Sequence, residues 1–307
     1  MQLAAAFDAV TASSAISTAA FMALTVALIA LWTARASAPR ITRHLWAGAG
    51  ALSLILALSG HMLDVTGLAA LTVLAGVCLL ARRATHQVAV VTTHVLLVLS
   101  CAALFVHVVP GFENPILVSN IVLGPDAQPY TKYLNYDKGM AALLLLGLYA
   151  PERTAGDHGS RPSTFLWRFG LLVGAMLALT LVVGYARWDP KLPAWWPAWL
   201  WSMVFLTALP EETLFRGCLQ TWMASRLHAW PHATLVSVVS TGVIFGVAHA
   251  GGGATYVLLS SVAGIGYGWI YASTRSLAAA TLAHAGLNTV HFLFFTYPAL
   301  AHRSSIF

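Results

Sequence analysis

The segment Pro210-Glu211-Glu212-Thr213-Leu214-Phe215-Arg216-Gly217 puts two adjacent carboxylates at the end of the apolar run 198–209. On a helix, Glu212 and Arg216 are four apart and share a face, so a bidentate pair between them would lower the cost of burying both. Glu211 lies about 100° further round and is expected to lack that partner, as suits a general base. Read alone, the segment also fits a helix N-terminus, where acidic residues beside a proline satisfy the dipole. Phe245-Gly246-Val247-Ala248-His249 closes a second apolar run with a histidine, a residue that at a helix end also serves as an anchor. His284 and Asn288 project four apart from one face of a third run, where a polar clasp between helices is the competing reading. Together, two carboxylates, an arginine, two histidines and an asparagine fall on three helices that are otherwise almost free of polar groups. Such a constellation can hold water, take a proton and donate to an oxyanion, which is the chemistry of a hydrolase.

The elements that must position these groups are set by composition. Apolar residues make up 59% of 307 positions and charged residues 8%, against roughly a quarter charged in soluble domains. There is too little polar surface to cover a water-facing globule, so the fold class is all-α, a polytopic transmembrane bundle of about eight to ten spans at ~20 residues each. Apolar runs lie near 15–33, 45–61, 63–81, 88–108, 138–150, 165–186, 195–226, 233–249, 255–272 and 276–297. The first lacks a basic leader and reads as a retained span. The run 138–150 is short, and 195–226 is too long for one span, so Pro210 is expected to kink it or split it into two helices. Residues 1–190 form an N-terminal transmembrane module and 191–307 the core that carries the chemistry.

Charge placement orients the chain. Alternate loops hold Arg35, Arg40 and Arg43; Arg82 and Arg83; Arg153 and Arg161; Arg226; and Arg275. The opposite set holds Lys132, Lys138, Arg187, Lys191 and Arg303. The first set is richer and is expected to be cytoplasmic, with both termini outside. The formal charge of +6 is scattered singly, as loops on an anionic leaflet are, so no nucleic-acid partner is expected. The loop 109–137, with Pro110, Pro115, Pro125 and Pro129, reads as an ordered outer-face loop with a turn at Gly124-Pro125-Asp126. Trp188, Trp195, Trp196 and Trp199 read as headgroup anchors. Cys78, Cys101 and Cys218 read as small buried hydrophobes. His61, His86, His94, His107, His228, His232, His291 and His302 read mostly as interfacial residues, with His291 set apart because it follows His284 by two turns. Gly264 and Gly268, with Gly266 between, read as close helix packing and not as a phosphate loop.

The three motifs resemble those of the CAAX prenyl endopeptidase and bacteriocin-processing family of glutamic intramembrane proteases, which carries Glu-Glu-x-x-x-Arg, Phe-x-x-x-His and His-x-x-x-Asn on successive helices. This chain has Glu211, Glu212 and Arg216, then Phe245 and His249, then His284 and Asn288, within roughly 195–297. The resemblance implies that Glu211 with His249 activates a water for attack on a peptide carbonyl. It implies that His284 and Asn288 stabilise the oxyanion, and that Glu212 and Arg216, with Phe245, support the site. The expected substrate is a membrane-associated protein or peptide, in a bacterial plasma membrane, with no cofactor. A zinc ion held by Glu211, His249 and His284 is the mechanistic rival. A non-catalytic membrane protein keeping the same fold (a transporter, an immunity protein or a scaffold) is the alternative from another class.

Overall fold

The computed structural model describes residues 15–37, 40–149 and 162–301, with side chains omitted for 33–37 and 40–43. Arg153, Arg161, His302 and Arg303, and the side chains of Arg35, Arg40 and Arg43, lie outside the described residues. Helices form at every apolar run. They are α1 (Ala15–Ser37), α2 (Arg40–Ser59), α3 (Val65–Arg83), α4 (Gln87–Phe105), α5 (Tyr136–Leu144), α6 (Pro162–Val182), α7 (196–226), α8 (Ala233–Val247), α9 (Ala254–Thr274) and α10 (Leu277–Phe294). α5 continues as a π-helical turn, Leu145–Tyr149. Among the described residues, five helices are long and apolar enough to cross a membrane: Ala15–Trp32, Val65–Arg83, Gln87–Phe105, Pro162–Val182 and Leu277–Phe294. Two shorter apolar helices are His44–Ser59 and Ala233–Val247. The chain is an all-helical integral membrane protein.

The loop 109–137 is ordered, as expected, but it is not wholly irregular. Ile116–Ile121 (β1) pairs with Tyr130–Tyr133 (β2) in a two-stranded sheet. The predicted turn is present, with the Ala127 N–H donating to the Gly124 carbonyl across Pro125 and Asp126.

Pro210 does not split its run into two separate helices. The stretch 196–226 stays helical by widening: α-helix over Trp196–Met203, π-helix over Val204–Ala208, one α-turn at Leu209–Glu212, π-helix again over Thr213–Gln220, and α-helix over Thr221–Arg226. Proline has no N–H to give, and its ring crowds the carbonyl four residues back. In the wider turn before it, the Leu209 N–H reaches the Val204 carbonyl, five residues back, and the ring is accommodated. The glutamate pair therefore sits on a single α-turn between two π segments, an irregularity often met at functional sites.

The chain divides into two interleaved compact units. The first comprises 1–118, 132–156 and 201–214; the second comprises 119–131, 157–200 and 215–307. In the first, α1 packs along α2, and α5 is buried through Tyr136, Met140 and Leu143. Ser53 ties the α1–α2–α5 contact together, donating to the Ala20 carbonyl and sharing a hydrogen bond with the Tyr136 hydroxyl. A Cβ on Gly139 would lie 2.8 Å from Leu24 and 3.0 Å from Leu206, so only glycine lets α5 come this close.

In the second unit, α8 and α9 touch backbone to backbone. A Cβ on Gly264 would lie 3.0 Å from the Gly242 carbonyl oxygen, and one on Gly246 2.7 Å from the Ser261 nitrogen. Gly264 serves close packing, as its spacing from Gly268 implies, and its partner Gly242 comes from α8. Trp199 is fully buried and stacks on Phe292 with ring centroids 4.0 Å apart, its indole N–H donating to the Tyr130 hydroxyl. It is a core residue and not the headgroup anchor expected; Trp188 is 64% exposed. The three cysteines are buried thiols and pack as small hydrophobes.

His94 departs from the interfacial reading, and His107 and His291 have defined partners. His94 is buried inside α4, with its Nδ1–H on the Val90 carbonyl and its Nε2 at 2.9 Å from the Tyr149 hydroxyl. It clasps two helices, because a ring at that depth must find partners within the protein. His107 binds Asp137 at 2.6 Å. His291 turns its Nε2 to the Thr296 carbonyl at 3.2 Å and packs its ring on Tyr297, which closes the end of α10. Three of the cations counted as outer-loop charges are also used inside the fold. Lys132, Lys138 and Lys191 are largely buried and bind Thr207, Glu211 and Asp189 respectively.

Candidate active site

Glu211 and Glu212 belong to the first unit. Both are buried, at 6% and 0% exposure, on the α-turn that follows Pro210. The sequence reading left Glu211 without a cation of its own, and here the structure corrects it. Lys138 Nζ stands 3.1 Å from Glu211 Oε1, with 13% and 7% of the two side chains exposed. One turn earlier on the same helix, Thr207 Oγ1 accepts from Lys132 Nζ at 2.9 Å. Two lysines from the segment 132–138 thus grip one turn of the motif helix. Burial pushes the Lys132 amine down to about 8; the charge on Lys138 adds to this and Glu211 opposes it. Spacing could not reveal these partners. Lys138 and Glu211 are 73 residues apart, and both lysines border a run too short to read as a full span.

The other motif residues belong to the second unit and gather around Phe245. The Phe245 ring is buried at 2% exposure. Its centroid lies 4.6 Å from the His249 ring, 5.7 Å from the His284 ring in an edge contact, and 5.0 Å from Phe215. The Arg216 guanidinium carbon sits 4.9 Å over the same ring, 5.5 Å over Tyr267 and 5.8 Å over Phe215. Its Nη2 donates to the Gly264 carbonyl at 2.6 Å. Arg216 is fully buried, and three aromatic faces with a backbone carbonyl give its charge a place in an apolar interior.

The two histidines are held differently. His249 follows the C-terminal end of α8, where the chain turns into the short 3₁₀ segment Ala250–Gly252. Its Nδ1 lies 2.7 Å from the Phe245 carbonyl. A carbonyl oxygen only accepts, so Nδ1 carries the hydrogen and Nε2 carries the lone pair of the neutral ring. That is the tautomer a proton acceptor needs, and the x-x-x spacing of Phe245 and His249 produces it. Tyr256 borders the same ring at 5.6 Å. His284, 4% exposed in mid-α10, stacks on Tyr267 with centroids 4.7 Å apart and planes 11° from parallel. Asn288 lies one turn further along α10 and is partly exposed. Tyr267 and Tyr256 were not picked out from the sequence. An isolated tyrosine in an apolar helix looks like core or headgroup contact, and only the fold shows which histidine it faces.

Arg216, Phe245, His249 and His284 are thus brought together within one compact unit, and Glu211 is brought to Lys138 within the other. Among the described residues, no three His, Cys, Asp or Glu side chains are grouped as ligands for a metal ion.

No curated protein and no solved structure matches the chain. Residues 193–290, which contain all three motifs, match the family described as type II CAAX prenyl endopeptidase, Rce1-like, the family that the motifs resemble.

Proposed function

We propose that this protein is an intramembrane endopeptidase that hydrolyses a peptide bond in a membrane-associated protein or peptide. The observation that carries the reading is the joint one. Three motifs lie in family order within 193–290, and two of their histidines pack on the same Phe245 ring above the same buried arginine. In this reading Glu211, aided by the Nε2 lone pair of His249, takes a proton from water, and the hydroxide oxygen attacks the carbonyl carbon. The oxyanion is stabilised by donors from His284 and Asn288. As the C–N bond breaks, the proton returns to the amine nitrogen, and the new carboxyl group then gives its own proton to the free amine, so the products are a carboxylate and an ammonium. Glu212 pairs with Arg216 and, with Phe245, fixes the motif helices. Residues 191–307 supply this core, apart from the lysines of the segment 132–138, and the host membrane is a bacterial plasma membrane.

The test uses the full-length protein in liposomes with a farnesylated peptide ending in a CAAX sequence, followed by mass spectrometry of the products. The matched family's description motivates that peptide. Cleavage that survives chelation, in protein holding less than one metal per chain, and that is absent in Glu211→Gln, is the expected result. Cleavage that stops on chelation and returns with zinc alone would replace the water-activating step with the metal rival. Equal turnover by wild type and Glu211→Gln would end the glutamate reading.

A further inference from the structure

We propose that Lys138 is the positioning residue of Glu211, fixing the direction of its carboxylate, and that the protease core is incomplete without this residue from outside the family-matching stretch. The inference rests on the reading of Glu211 as the base.

The geometry is direct: Lys138 Nζ to Glu211 Oε1 is 3.1 Å, with both groups largely buried. An ammonium at contact distance on one carboxylate oxygen fixes which way the group points. Lys138 is itself held on several sides. It lies in the first turn of α5, and its backbone N–H donates to Asp137 Oδ1 at 2.7 Å. Asp137 Oδ2 accepts from Asn114 Nδ2 at 3.1 Å and binds His107 Nδ1 at 2.6 Å. Asn114 Oδ1 accepts from the Tyr136 N–H, so one loop residue caps the helix that carries Lys138. The stem of Lys138 places its ammonium 5.4 Å over the Phe105 ring. Gly139, the next residue, allows α5 its close approach to Leu206 on the motif helix. Lys132 on Thr207 fixes the adjacent turn. Each element around the ammonium thus restricts where it can point, which is what a pre-organised support needs. Both lysines precede residue 193, where the family match begins.

The test reads Glu211 without a substrate. Infrared difference spectra of the full-length protein in liposomes at pH 7, each variant minus the same variant carrying Glu211→Gln, isolate the Glu211 band. The wild-type pair is expected to show a narrow carboxylate band set by the ammonium contact, and the Lys138→Met pair a band that is shifted and broadened. Lys138→Arg should restore a narrow carboxylate band at a third frequency, since a guanidinium binds it differently. An identical carboxylate band in Lys138→Met overturns the proposal. If Lys138→Met does not fold, as judged by the amide band, an unshifted band in Lys138→Arg overturns it. Peptide cleavage is measured beside the spectra. kcat should fall about 10²-fold in Lys138→Met with KM little changed, and should recover in part in Lys138→Arg. An equal loss in both variants would mark Lys138 as structural and overturn the proposal. Wild-type turnover by Glu211→Gln would instead defeat the reading of Glu211 as the base, while the spectra still decide the ion pair.

Discussion

Gly246 lies between Phe245 and His249, so adding one methyl group there tests whether the α8–α9 contact sets the site. A Cβ at this position would lie 1.9 Å from Ser261 Oγ, 2.6 Å from the Val257 carbonyl oxygen and 2.7 Å from the Ser261 nitrogen. The hydroxyl can rotate away, but the other two atoms are backbone of α9. Ordinary contact needs roughly 3.5 Å or more, so the helices must part by about 1 Å. Overpacking of this kind costs about 1–3 kcal/mol. Alanine returns roughly 1 kcal/mol through its better helix propensity, which leaves a net loss of up to about 2 kcal/mol. The effect on turnover should be larger in proportion. A shift of about 1 Å at a catalytic group can cost on the order of 10²-fold. Gly174 is the control: it sits on α6, and a Cβ added there would meet nothing within 4 Å. Gly174→Ala should melt at or above the wild-type temperature. Thermal melts of both variants in one detergent, with peptide cleavage in liposomes, decide it. Gly246→Ala with wild-type melting and wild-type turnover would refute the claim that this contact positions Phe245 and His249.

Further outcomes follow from the same geometry. Asn288→Ala should lower kcat by about 10²–10³ while KM changes little, because an oxyanion donor acts only in the transition state; a variant that melts early yet cleaves normally in the cold would make Asn288 a clasp. On the pairing proposed above, Glu212→Gln should lower the melting temperature by removing one partner of the fully buried Arg216, since Glu212 and Arg216 are both 0% exposed; a melt equal to wild type would remove Glu212 from that role. Lys132 titrates near 8 when folded and near 10.5 when unfolded. Between those values the unfolded chain holds the proton that the folded chain has released, so stability should rise with pH across that window. Lys132→Met should lack this rise, and parallel melting curves for the two proteins from pH 8 to 10.5 would contradict it.

Among the described residues, hydropathy located every long helix because each apolar run must bury its backbone polar groups within itself. The motif residues were legible for the complementary reason: Glu211, Arg216 and His284 are costly at that depth and stand out against Leu, Val and Ala. Groups whose role depends on distant chain were not legible. Lys138 and Lys132 looked like loop cations because the sequence shows their polar flanks and not Glu211 or Thr207. Trp199 looked like an anchor because a tryptophan cluster beside a loop does not reveal that one ring stacks on Phe292. The π segments around Glu211 were also hidden. Proline signals a disturbance of the helix, but whether the chain kinks or widens is decided by what packs against it. The strand pair in 109–137 was missed because short strands beside prolines carry no clear alternation.

The central claim is that Glu211 drives proteolysis in the membrane, and it can be tested without knowing the substrate. Cells expressing wild-type protein and cells expressing Glu211→Gln at equal membrane abundance are compared by quantitative mass spectrometry of the N- and C-termini of all membrane proteins. The account predicts at least one membrane protein that loses a terminal peptide in wild-type cells and keeps it intact with Glu211→Gln. It also predicts that the purified protein cleaves that bond in liposomes. Identical sets of termini in both cells, with wild-type protein folded and in the membrane, would contradict it.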